Sequence, residues 1–158
     1  MKKGIIASVL VVIGSIGGAI GMSFLKNGKV SNEIQKVNKF KGYYQILNQW
    51  LIIKQEGKSL EEYFVNNNYQ SIAIYGMGEL GCRLYEELKD SSINVKYAID
   101  NSAICAYSNL EVLSLEDKLD DVDAIVVSAA FAFEEVQKEL TNKINCPIVS
   151  IEDVVLES

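Results

Sequence analysis

Six consecutive residues, Gly76-Met77-Gly78-Glu79-Leu80-Gly81, place three glycines in the spacing G-x-G-x-x-G. That spacing has a physical use where a strand turns into a helix. The first glycine permits a tight turn, the second lets backbone approach a pyrophosphate, and the third lets the helix pack closely on the strand. The opening turn of such a helix also offers unpaired N–H groups and a positive dipole end. Asp100 stands nineteen residues after Gly81, with Asn101 behind it. An acid at that distance is placed to grip the hydroxyls of a ribose. No Arg lies beside Asp100, so a 2′-phosphate has no evident partner and NAD is favoured over NADP. Ser128 heads the small-residue stretch Ser128-Ala129-Ala130. The candidate ligand-binding residues are therefore Gly76, Met77, Gly78, Glu79, Leu80, Gly81, Asp100, Asn101 and Ser128.

The flanking elements must hold these residues in place. Ser71–Tyr75 is a short apolar run of the type found in buried parallel strands. A helix is expected over 79–89, with Leu80, Leu84 and Leu88 on one face. Further strands are expected at 95–99, 110–113, 123–128 and 147–151, with a helix over 133–143 before the last. Strands alternating with helices imply a parallel sheet covered on both faces. The right-handed crossover rule favours the order 3-2-1-4-5. Ser128 then lies on the rim where open sheets take ligands.

The segment IYGMGELG, followed by YAIDNS, resembles the Rossmann-like nucleotide-binding domains of bacterial surface-polysaccharide biosynthesis proteins. The resemblance covers about 71–151. It implies the fold and an NAD or nucleotide-sugar ligand near Gly76, Gly78, Gly81 and Asp100. It implies no reaction, because the catalytic residues of those proteins lie in other domains.

Other residues offer less chemistry. The chain has no His, which excludes His-based catalysis and most zinc sites. Tyr85 and Lys89 have a Y-x-x-x-K spacing, but on the helix straight after the glycine turn, too early for acid–base work. Glu116, Asp117, Asp120, Asp121 and Asp123 read as a solvated connection. Cys82, Cys105 and Cys146 read as unpaired thiols, in keeping with a reducing compartment. No catalytic or metal-binding residue is assigned.

Composition divides the 158 residues into three parts. Residues 4–25 carry no charge and would reach roughly 30 Å as a helix, enough to cross a bilayer. They are expected to form an N-terminal transmembrane anchor, domain 1–25; a cleaved signal peptide is the main competitor. Gly14, Gly17, Gly18 and Gly21 give that span a small-residue face suited to a homodimer. Residues 26–70 form a basic juxtamembrane part. Its helix over 34–55 carries an apolar stripe, and Ser59-Leu60-Glu61-Glu62 fits a capping box. Lys26, Lys29, Lys36, Lys39 and Lys41 follow the span, which places the C-terminal body in the cytoplasm. Residues 71–158 form the nucleotide-binding domain, with six basic and seventeen acidic side chains. That balance repels a nucleic-acid backbone.

The expected protein is thus a single-pass, cytoplasm-facing Rossmann-like protein that binds NAD or a nucleotide-sugar and serves surface-glycan synthesis. Two alternatives stand beside it. One is a non-catalytic membrane-tethered interaction module with a degenerate fold. The other is an oxidoreductase or sugar-modifying enzyme completed by a partner subunit.

Overall fold

The computed structural model describes residues 32–103, 107 and 109–158. Contacts divide the chain into two units, Met1–Tyr44 and Gln45–Ser158. Residues 32–55 are helical, here α1. In the first unit its residues Ile34, Val37, Phe40 and Tyr44 are exposed. In the second unit Ile46, Trp50 and Ile53, three or four residues apart, are buried. The second unit continues with α2 (Glu61–Asn66), β1 (Ser71–Tyr75), α3 (Glu79–Leu88), β2 (Asn94–Ile99) and β3 (Glu111–Leu113). It ends with β4 (Ala124–Val127), a 3₁₀ turn (Ala130–Ala132), α4 (Phe133–Thr141), β5 (Ile148–Ser150) and α5 (Ile151–Leu156).

The five strands form one parallel sheet in the order β3-β2-β1-β4-β5, as expected. Its central strands are apolar without alternation because helices cover both faces. Ile72, Ala73 and Ile74 of β1 and all four residues of β4 are buried. On one face Ala73, Tyr97, Ile99, Ile125 and Val127 pack with Val136 and Leu140 of α4. Strand alternation turns Ile72 and Ile74 to the other face. There α3 packs on β1 and β2 with Leu80, Leu84 and Leu88 inward. The architecture is a small parallel sheet flanked by helices, a generic Rossmann-like fold.

Glu87 fastens α3 to its neighbours. Its carboxylate accepts from Trp50 Nε1 at 2.6 Å and from the Leu60 amide at 2.9 Å, and pairs with Lys54 at 3.2 Å. A carboxylate this enclosed needs such a full set of donors.

Four expectations are corrected. First, among the described residues no helix is long and apolar enough to cross a membrane. The helix over 32–55 has the length, roughly 36 Å, but it carries Glu33, Lys36, Lys39, Lys41 and Lys54. The expected anchor over 1–25 and its glycine-faced homodimer lie outside the described residues. Single-pass topology, membrane attachment and the cytoplasmic placement drawn from them are not retained. Second, the cysteines are not all unpaired: Cys82 is disulfide-bonded and Cys146 is free. Cysteine usage therefore no longer argues for a reducing compartment. Third, the capping box is half formed. Ser59 Oγ accepts from the Glu61 amide at 3.0 Å, but Leu60 stands at the N-cap of α2 with no side-chain cap bond, and no bond from the Glu62 carboxylate back to Ser59 is seen among the described residues. Fourth, the last strand stops at Ser150, whose hydroxyl accepts from the Glu152 amide and starts α5.

Candidate functional site

The sheet order reverses direction between β1 and β4, and open parallel sheets take ligands at that point, beyond the carboxyl ends of the strands. The chain leaves β1 through Gly76, whose φ of +90° suits glycine alone. Two bonds stitch this turn to the end of β4. The Ser128 amide donates to the Tyr75 carbonyl at 2.9 Å, and the Ser128 hydroxyl donates to the Gly76 carbonyl at 2.6 Å. Ser128 is 5% exposed. It therefore braces the turn from beneath.

The other two glycines serve different ends. A Cβ on Gly81 would overlap the carbonyl oxygen of Gly76, so Gly81 is what lets α3 sit against the turn. Gly78 has an ordinary φ of −77°, and a Cβ there would meet no described residue within 4 Å. Among the described residues the space above Gly78 is open. The N-cap of α3 is Gly78, which has no side chain to accept from the first N–H groups of the helix.

Asp100 follows the last residue of β2 and reaches the turn. One carboxylate oxygen accepts from the Met77 amide at 2.5 Å, and the other accepts from the Ser102 amide at 2.6 Å. Each carboxylate oxygen has two acceptor sites, so both retain capacity for a further hydroxyl. The fold thus brings Gly76, Gly78, Gly81, Asp100 and Ser128 to one place. Met77 and Leu80 are buried and offer that place only their backbones. Glu79 and Asn101 are exposed at its border.

Residues not singled out from the sequence complete the surroundings. Tyr75 closes the end of β1. Burial, then the carboxylates of Glu139, Asp100 and Glu135, push its phenol up from the ordinary value. At the ends of β4 and β5 lies a cleft of about 780 Å³. Phe131, Glu134, Glu135, Lys138, Glu152 and Asp153 contribute to its lining. Glu134 and Glu135 stand in the first turn of α4, Glu152 and Asp153 in that of α5. Acids in a first turn favour the helix dipole, which is their signal in the sequence. Their meeting in one cleft comes from the strand order and is not a local pattern.

Behind the turn, the Cys82 sulfur lies 3.4 Å from the Met77 carbonyl oxygen. The Tyr107 hydroxyl donates to the Cys82 carbonyl at 3.4 Å, and its ring stacks at a tilt on Tyr85 with centroids 4.4 Å apart. Tyr85 is thereby a packing residue. Among the described residues no group of three or more His, Cys, Asp or Glu could hold a metal ion. Two members of the acidic run are used structurally. Asp123 accepts from the Gln70 and Ser71 amides and the Ser71 hydroxyl, and Asp117 accepts from the Ser114 amide.

Comparison with protein-family models, curated proteins and solved structures returned no match. The expected tie to surface-polysaccharide biosynthesis proteins is therefore corrected to the fold alone. The role expected from it, a membrane-anchored accessory of glycan synthesis, is withdrawn with the membrane span. Nothing in the comparisons links the chain to NAD or nucleotide-sugar binding.

Proposed function

We propose that this chain binds a nucleoside-type small molecule in the crevice between the Gly76–Gly81 turn and Asp100. One observation carries the reading. The Asp100 carboxylate is held beside the turn by the Met77 and Ser102 amides, with acceptor capacity left over. A vicinal diol, such as a ribose presents, donates two hydrogen bonds and suits that carboxylate. The open space over Gly78 gives such a ligand a path to the backbone. NAD and nucleotide-sugars contain the required ribose and belong among the ligands to be tried. The proposal assigns binding and no reaction.

Thermal unfolding of the full chain tests it. The ligands are adenosine, uridine, NAD and a UDP-sugar, each against wild type and Asp100→Asn. A ligand at 100 times its dissociation constant stabilises the folded state by about 2.7 kcal/mol. The reading expects a shift with at least one ligand, reduced at least about tenfold in affinity by Asp100→Asn, the loss of roughly one charged hydrogen bond. No shift with any ligand, or one indifferent to Asp100, would refute it.

A further inference from the structure

We propose that the crevice prefers a nucleoside whose far end is neutral or cationic, and discriminates against free nucleoside diphosphates. This inference rests on the reading above and names the ligand class it implies.

The argument is electrostatic and starts from the turn. The helix dipole offers an anion the equivalent of roughly half a charge at the start of α3. One of the turn's amides, that of Met77, is already engaged by the Asp100 carboxylate. The carboxylates around it are numerous. Glu79 is exposed on the first turn of α3. Glu135 and Glu139 of α4 act together with Asp100 on Tyr75 at the end of β1. Glu152 and Asp153 line the cleft at the ends of β4 and β5. On the basic side stand Lys138 in the cleft and Arg83, one turn along α3 from Glu79. At the carboxyl edge of the sheet, which a ligand's phosphates would share with the first turns of α3, α4 and α5, carboxylates thus outnumber these two cations. A ribose diol is uncharged and donates to Asp100 without meeting that field. Two phosphates meet it in full, and neither the dipole nor Lys138 and Arg83 offsets so many carboxylates.

Calorimetric titration of the full chain with two series, adenosine, AMP, ADP and uridine, UMP, UDP, tests the inference at two ionic strengths. Between about 0.01 M and about 1 M salt the screening length falls from about 30 Å to about 3 Å. At low salt we expect the nucleoside to bind at least about tenfold more tightly than its diphosphate. Added salt should tighten the diphosphate several-fold and leave the nucleoside unchanged, because screening removes a repulsion. Exposed Glu135 and Glu139 allow a conservative control: the double variant Glu135→Gln, Glu139→Gln should narrow the low-salt difference several-fold.

Three results would overturn the inference while leaving the crevice as a nucleoside site. The diphosphate binds more tightly than the nucleoside at low salt. Its affinity falls as salt is added. Or it binds tightly only with Mg²⁺, a neutralised diphosphate then being the ligand. Failure of all six compounds to bind would remove the crevice reading itself, and this inference with it.

Discussion

Gly78 and Gly81 lie one helical turn apart, and alanine at the two positions is expected to do opposite things. At Gly81 the new methyl group would collide with the Gly76 carbonyl, a backbone atom that cannot swing away. We expect Gly81→Ala to lower unfolding free energy by about 1–3 kcal/mol, the range for forced overpacking and strain. At Gly78 the methyl group meets open space and an ordinary φ. Gly78→Ala should change stability by no more than about 0.5 kcal/mol. It should weaken any ligand that approaches the backbone there. Denaturant unfolding of the two variants checks the contrast. Ser128 makes a third case at this scale. Ser128→Ala leaves the Gly76 carbonyl without its 2.6 Å donor and should cost about 1–2 kcal/mol. The spacing of the glycines was legible in the sequence, and so was the placement of Asp100 after β2. The Asp100 bonds to Met77 and Ser102 were not. Nor was the burial of Ser128, because each depends on how two distant turns meet.

At the scale of elements, α3 is held by one carboxylate. Glu87 accepts from Trp50, Leu60 and Lys54, which belong to α1 and the entry to α2. Removing it leaves the Trp50 indole N–H and the Leu60 amide unpaired in a partly buried place. Glu87→Ala should therefore cost about 2–4 kcal/mol by denaturant unfolding. Two tyrosines give a pH dependence. Burial pushes Tyr97 of β2 and Tyr63 of α2 up to about 12, from an ordinary value near 10. Nearby negative groups add to the shift, Asp120 and Asp121 at Tyr97, Glu157 and Asp153 at Tyr63. A raised folded value means that the folded state keeps its protons longer. Stability from these groups is complete below about pH 10 and declines as pH rises towards 12. Tyr97→Phe should flatten that decline when unfolding is followed across the alkaline range. At this scale most strands were legible, because β1, β2 and β4 are apolar runs bounded by turn residues. The helix α5 was missed because Ile148–Ser150 runs straight into Ile151. The signal was present, since Ser150 with Asp153 three residues later fits a helix start. The disulfide at Cys82 had no local signal at all.

For the whole molecule, the acidic body and the parallel sheet act together. Six basic and seventeen acidic side chains over 71–158 were countable from the start. What the count could not show is where they gather. The strand order sets the first turns of α3, α4 and α5 along one edge of the sheet, and each first turn carries acid. The acids that favour each helix dipole therefore converge on the ligand edge. The charge-free run over 4–25 suggests membrane attachment, but no described helix is long and apolar enough to cross a membrane. What remains for function is the crevice.

The most direct measurement is a calorimetric titration of adenosine and uridine into the full chain and into Gly78→Ala. The account predicts saturable binding of at least one nucleoside by the wild type. It also predicts binding at least about tenfold weaker in Gly78→Ala, a loss of ~1.4 kcal/mol or more, at an unchanged unfolding midpoint. Neither nucleoside binding to the wild type, or Gly78→Ala binding as tightly as the wild type, would contradict it.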